Sequence, residues 1–282
     1  MTQLSYETLV LDGTPRAAGT LPTGEPFATS PLTVTLISGE RDAVLVDGPL
    51  TYGQVNRVRN WITDSGKTLT AIYITHGHGD HWLGVGELLS TFPGVPVYAT
   101  EGTIAKMGSE AVEGRSQMWD PALPGMVPPA TVIAVPVPAE GFLLEGESLE
   151  PILLGHTDTD DTTALWVPSI RLVVAGDAIY NGAHQMLLEA LDGGFEGWLA
   201  AIDVIEALEP AHVVAGHKAP GADDDPRCIE ETRRYLIDAR ELLGTVSTPK
   251  EFYDAILRRY PHRVNASPVW YGALGLIPAP VA

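Results

Sequence analysis

One cysteine in 282 residues, Cys228, leaves no internal disulfide to be made. It follows the acidic stretch "GADDDPR" at what reads as a helix start, where a packing role is expected. Positive charge is also scarce: 17 Lys and Arg stand against 36 Asp and Glu, for a formal net charge of −19. A surface that acidic repels phosphate backbones and anionic lipid, so nucleic acid and membrane are disfavoured and a small-molecule substrate is expected. No apolar run approaches the roughly 20 residues that span a bilayer. The first residues, "MTQLSYETLVLDGTPRAAG", lack the basic and long apolar regions of a secretory signal, so a cytoplasmic location is expected.

With 45% hydrophobic residues the chain is long enough to bury a sizeable core. Short β-branched runs alternate with helical patterns. "LTVTLIS", "AVLVDG", "LTAIYIT" and "VPVYAT" read as strands, and "YGQVNRVRNWITDSG" places Val55, Val58 and Ile62 at helical spacing. The second half repeats the alternation with "ESLEPILLGH", "TALWVP", "RLVVAGD" and "AHVVAGH" around a helix at "FEGWLAAIDVIEALEP". This is the pattern of an α/β protein. From residue 226 onward the pattern is helical. A catalytic domain over 1–225 with a helical C-terminal extension over 226–282 is therefore expected. The Pro- and Gly-rich stretch from Gly114 to Ala130 reads as a long loop and a candidate lid.

Residues 73–85 read "YITHGHGDHWLGV", which puts three of the chain's eight histidines and an aspartate within positions 76–81. A metal centre needs donors that converge from several strand ends. His156, Asp177 and His217 each close an apolar run, one residue after a glycine. With His76, His78, Asp80 and His81 they make seven candidate ligands, too many for one tetrahedral zinc and about right for two ions. His76 and His78, two apart on an extended segment, point the same way. Asp80 and His81 turn towards a neighbouring ion, and Asp177 is the natural bridge. The donors are all N or O, which suits Zn, Mn or Fe.

The series HxHxDH, "GHT", "AGD" and "AGH" resembles the metallo-β-lactamase-fold hydrolase superfamily over about residues 30–220. The resemblance implies an αββα sandwich with a dinuclear site at one edge. It implies His76, His78 and His156 on the first metal, Asp80, His81 and His217 on the second, and Asp177 between them. Two divalent ions, zinc foremost with Mn or Fe as alternatives, would present a bridging hydroxide to a small-molecule carboxylic ester, lactone or thioester. "AGDAIY" points to the lactonase and glyoxalase II-like branch rather than a true β-lactamase, because many β-lactamases of the fold lack a bridging Asp. The spacing of Asp177 and Tyr180 is similar to the D-x-x-Y of acyl-homoserine-lactone lactonases. Tyr180, with Asp80, is accordingly the expected catalytic pair. A Tyr180 that donates to the substrate carbonyl predicts that Tyr180→Phe cuts turnover without losing metal. The alternatives on this fold are a mononuclear-iron redox enzyme of the persulfide dioxygenase kind and a metal-dependent biosynthetic cyclase, with weak β-lactamase activity as a side reaction.

Residues around the motifs carry further expectations. Asp47 in "LVDG" is placed to orient a ligand histidine. Trp82 is expected to thicken the site wall, and His184 to be surface or second to the site rather than a substrate contact. His212 and His262 are read as structural. Met118, Trp119, Met126, Trp270 and Tyr271 are candidates for an apolar pocket that favours an uncharged ester or lactone.

Overall fold

A computed structural model describes residues 3–277. Its first sheet is built from β1 (Ser5–Leu11), β4 (Leu32–Ser38), β5 (Asp42–Val46), β6 (Thr68–Tyr73), β7 (Val97–Ala99) and β8 (Val135–Pro136), adjacent in that order; a hairpin of β2 (Pro15–Thr20) and β3 (Pro26–Ala28) lies between β1 and β4 in the chain. β4 runs antiparallel to β1 and β5, and the strands from β5 to β8 are parallel. The second sheet takes β9 (Phe142–Leu144), β10 (Glu147–Gly155), β11 (Thr162–Val167), β12 (Leu172–Val174) and β14 (His212–Val214). Short β13 (Tyr180–Asn181) and β15 (His217–Lys218) pair in parallel beside it.

The unbroken apolar runs follow from burial on both faces of each sheet. Side chains alternate across β5: Ala43 and Leu45 join the cluster under the outer helices, while Val44 and Val46 face the second sheet. There they meet Leu165, Val167, Leu172, Val174 and Val214. Outside the first sheet, α1 (Tyr52–Asp64) is opened by a reciprocal cap between Thr51 and Gln54 and buries Val55, Val58 and Ile62. Those three side chains stabilise the layer by roughly 1.5–3 kcal/mol each. Short α2 (Val85–Leu88) and the helical segment after β7 complete that layer.

Four helices cover the second sheet: α5 (Gly194–Ala207), α6 (Arg227–Leu243), α7 (Pro249–Arg259) and α8 (Ser267–Leu276). They share one apolar cluster with it, in which Trp198, Cys228, Tyr235, Phe252 and Val269 surround Val173 and Val213. Cys228 packs there as expected, and burial pushes its thiol up to about 12. The layers are thus helix, sheet, sheet, helix, the αββα sandwich. No helix among the described residues is long and apolar enough to cross a membrane.

Two expectations need correction. The strands read from the sequence began at Leu32, inside a domain expected from residue 1, so β1 to β3 were missed. The supposed loop from Gly114 to Ala130 is helical as far as Ala122 and irregular only over 123–130: α3 (Glu101–Ser109) runs on as a wide π-helix over Glu110–Trp119 and ends in α4 (Asp120–Ala122). The prolines misled, because Pro121 lies in the first turn of α4, where a missing N–H costs little. Inside this segment Glu110 accepts from the Trp119 indole, and Arg115 donates to the Pro128 carbonyl at 2.7 Å.

Candidate metal centre

Every donor sits where a strand ends at one edge of the sandwich. β6 leads into the histidine turn, β5 into Asp47, β10 into the turn before β11, β12 into Asp177 and β14 into His217. Hydrogen bonds lock the two sheets together here: Thr163 N–H donates to Thr75 O at 2.9 Å, and Tyr73 Oη lies 2.8 Å from Thr163 Oγ1. Glycine is required beside the donors. A Cβ on Gly216 would lie 2.2 Å from Asp177 Oδ1, and Gly176 adopts φ +51° with Thr75 against it.

Two groups of ligand atoms converge. One joins His76, His78, Asp158 and Asp177, and the other Asp80, His81 and His217. His78 Nδ1 lies 2.7 Å from Asp158 Oδ2, and His76 Nε2 lies 3.8 Å from the same oxygen. Asp177 spans the groups: His81 Nε2 is 3.2 Å from Oδ1 and His217 Nε2 is 3.0 Å from Oδ2. Asp80 Oδ2 reaches within 3.7 Å of His217 Nε2.

Six of the seven sequence-derived ligands are therefore brought together, and His156 is not. Its Nε2 lies 2.9 Å from the Glu189 carbonyl, and its Nδ1 lies 2.7 Å from Asp160. The cause is local. The β10–β11 pairing slips between Leu153 and Gly155, and Gly155 takes φ +74°. That irregularity re-aims the chain, and the following turn brings Asp158 in where His156 was expected. Asp158 is 1% exposed, a carboxylate that sequence reasoning missed. Its signal was its place two residues after an expected ligand in "GHTDTDD".

Outer partners fix the imidazoles. Asp47, at φ +59°, accepts from Thr75 N–H at 2.9 Å and places Oδ2 3.0 Å from His81 Nδ1. His217 Nδ1 donates to Pro31 O at 2.7 Å, and His76 Nδ1 lies 3.0 Å from Thr75 Oγ1. In each case Nδ1 is engaged and Nε2 faces the cluster, the arrangement that orients metal-binding histidines. Tyr180, fully buried, donates its phenol proton to Asp177 Oδ2 at 2.7 Å. Its hydroxyl is thus engaged with a ligand carboxylate, and the residue lines the cavity.

The donors fit cations. His76 Nε2, His81 Nε2, Asp158 Oδ2 and Asp177 Oδ1 are all buried without a well-formed hydrogen bond and face only other donors of the cluster, an arrangement that is costly unless something positive satisfies them. The electrostatics agree. Burial alone would lower His81, yet Asp177 and Asp47 outweigh it and hold it well above the ordinary imidazole range. Burial likewise opposes ionisation of Asp177, but His217 and His81 keep it well below the usual carboxylate range. The carboxylates are drawing protons onto imidazoles, a demand that divalent ions meet by replacing those protons.

The cluster floors a cavity of about 320 Å³. Met118, Trp119, Met186, Leu188 and Tyr271 supply its apolar wall, with Glu110 and Glu189 beside them. Three expected wall residues lie elsewhere. Trp82 is wholly buried and holds Gly77 O through its indole N–H at 2.9 Å, Trp270 packs on Tyr253, and Met126 does not line the cavity. His184 is buried beside Tyr235, 3.0 Å from its hydroxyl, away from the cavity lining.

Comparison with known proteins agrees with this architecture. The chain is 24% identical over 221 residues to a metallo-beta-lactamase type 2 of Bacteroides fragilis, an alignment covering 75% of this chain and 78% of the relative. A crystal structure of a metallo-beta-lactamase family protein from Thermus thermophilus superposes with a TM-score of 0.60 at 18% identity, over 95% of this chain and 91% of that one. The metallo-beta-lactamase from Pontibacter korlensis gives a TM-score of 0.58 at 20% identity, over 84% of this chain and 100% of its own. The family description "Metallo-beta-lactamase superfamily" matches residues 30–217, and the chain belongs to that superfamily.

Proposed function

We propose that this protein is a metal-dependent hydrolase of a small-molecule carboxylic ester, lactone or thioester. The observation that carries this reading is the convergence of buried ligand atoms of His76, His81, Asp158 and Asp177, which face only one another and the other donors of the cluster, with Asp158 and Asp177 lining the floor of the cavity. His76, His78 and Asp158 would hold one divalent ion, Asp80, His81 and His217 a second, with Asp177 shared. Such ions supply Lewis acidity towards a carbonyl oxygen and make water acidic enough to attack at neutral pH.

The chain's own groups do the rest. Asp47, Pro31 and Thr75 keep the imidazole lone pairs on the cluster side. Tyr180 restrains Asp177 through Oδ2. Asp80 lines the cavity and is placed to take the proton of the attacking water on its carboxylate. Three aspartates offset most of the charge of two divalent ions, and Glu110 and Glu189 add negative wall. That balance disfavours a phosphodiester and suits a carbonyl substrate.

One observation favours a second reading. Within the group of His76, His78, Asp158 and Asp177, the two histidines with either carboxylate make a two-histidine, one-carboxylate set, the ligand type of mononuclear non-haem iron oxygenases. Metal analysis of the purified protein, with a panel of lactone, thioester, aryl ester, phosphodiester and β-lactam substrates, separates the two. Two zinc or manganese per chain with ester or lactone turnover supports the hydrolase. One iron with oxygen consumption sinks it. Preferred turnover of the β-lactam would return the chain to the activity named for its relatives.

A further inference from the structure

The cavity wall also carries a group of hydrogen-bond donors. Arg16 of β2 lines it together with Thr29, Ser30, Ser267 and Tyr271. The Arg16 guanidinium carbon lies 4.9 Å from the centre of the Tyr271 ring, a stacked cation–π contact, and Tyr271 is backed by Phe27 at 4.9 Å. Arg16 Nε is buried without a hydrogen-bond partner, and no carboxylate among the described residues forms an ion pair with this guanidinium. The other cation on the cavity wall differs: Lys106 Nζ is 3.4 Å from Asp160.

The hydroxyls beside Arg16 share one property. Thr29 Oγ1 accepts from Thr14 N–H at 2.9 Å, Ser267 Oγ from Ala28 N–H at 3.0 Å, and Ser30 Oγ from the Asn265 amide at 3.1 Å. Each accepts from the protein, so its own proton is left to donate. The wall carboxylates are by contrast engaged, Glu110 with Gly79 N–H at 3.2 Å and Glu189 with Thr159 Oγ1 at 3.1 Å. This donor group also adjoins the metal centre along the chain, because Pro31, next to Ser30, accepts from His217.

We propose that Arg16, stacked on Tyr271 and flanked by Thr29, Ser30 and Ser267, anchors a substrate carboxylate, so that the substrate is an ester, lactone or thioester carrying a free carboxylate away from the bond that is cut. This rests on the hydrolase reading and narrows its substrate from an uncharged ester to a singly anionic one. A guanidinium fork matches a carboxylate in a planar, two-point contact that a lysine cannot reproduce. The stack on Tyr271 keeps the fork ordered before substrate arrives, which limits the entropy lost on binding.

The test uses the full chain, metal-loaded, with the 4-nitrophenyl monoester of glutarate, 4-nitrophenyl pentanoate, and an ester of the same length ending in a phosphonate. The wild type is expected to favour the glutarate ester over the pentanoate at least tenfold in kcat/KM, through KM. Arg16→Met should lower that preference at least tenfold at equal metal content, and Arg16→Lys should restore only part of it. A preference that Arg16→Met leaves unmoved overturns the anchor, and a tenfold preference for the phosphonate overturns the carboxylate. Should no ester be turned over, the hydrolase reading fails while the anchor is still tested by calorimetric titration with glutarate. Binding at least tenfold tighter to the wild type than to Arg16→Met supports it, and equal affinities overturn it.

Discussion

Asp158 Oδ2 lies 2.7 Å from His78 Nδ1, while His156, two residues earlier, turns its Nε2 to the Glu189 carbonyl. Removing the two side chains should therefore have opposite consequences for metal. Asp158→Asn takes a negative charge from a buried site facing two imidazoles, and one equivalent of metal should be lost or bound at least tenfold more weakly. His156→Ala removes contacts to Asp160 and Glu189 and should keep both equivalents. Elemental analysis after dialysis against a weak chelator decides; loss of metal in His156→Ala with retention in Asp158→Asn would return the ligand role to the histidine.

Asp47 reaches the metal centre through His81. Asn tolerates the left-handed backbone at this position (φ +59°) better than most residues, so Asp47→Asn should keep the turn and the Thr75 contact. It would lose the charge facing His81 Nδ1. Metal affinity is expected to fall roughly 10–100-fold, the usual effect of removing such an outer partner. Competition with a chromophoric chelator measures it. An unchanged dissociation constant would mean that His81 is oriented by packing alone.

How far the sequence carried this reading depended on backbone regularity. Asp177 and His217 follow glycines at the ends of β12 and β14, and both meet at the site as the apolar runs suggested. His76, His78, Asp80 and His81 share one turn after β6, where spacing fixes direction. Between β10 and β11 a pairing irregularity intervenes, and residue order no longer says which polar side chain turns inward. The segment after Ser109 failed for a different reason. Proline and glycine signalled a break, but the Trp119 and Glu110 contact and the Arg115 bond to Pro128 hold a helix together. No local rule locates Arg16 either, since its place at the cavity comes from Tyr271, 255 positions later (271 − 16).

Tyr180 separates two roles with one variant. If its phenol served only the substrate, Tyr180→Phe would reduce turnover and leave metal untouched. Its bond to Asp177 Oδ2 at 2.7 Å predicts otherwise. Loss of a hydrogen bond to a charged group costs about 1.5–3 kcal/mol, a figure that corresponds to roughly 10–150-fold if it falls on one metal site. The weaker of the two metal equivalents should thus dissociate more readily in the variant, alongside the fall in kcat. Stepwise titration of the metal-free protein with Co(II), followed by its visible spectrum, reads the two equivalents separately; two unshifted steps would give the tyrosine back to the substrate.

His184 supplies an acid sensitivity remote from the metal centre. Burial, helped by the nearby Arg263, lowers its pKa from 6.5 to about 3. The folded state thus keeps the imidazole neutral while the unfolded chain takes up a proton below pH 6.5. Stability from this group is complete above that pH and is lost as pH falls towards 3, at up to about 1.4 kcal/mol per unit. Replacing it by Asn retains a polar group near the Tyr235 hydroxyl, 3.0 Å from His184 Nδ1, and removes the titration. Between pH 6.5 and 5 the wild type should therefore lose about 2 kcal/mol more than His184→Asn, by urea unfolding of the metal-loaded proteins. Parallel losses in the two proteins would show that carboxylates elsewhere carry the acid response and that His184 titrates alike in both states.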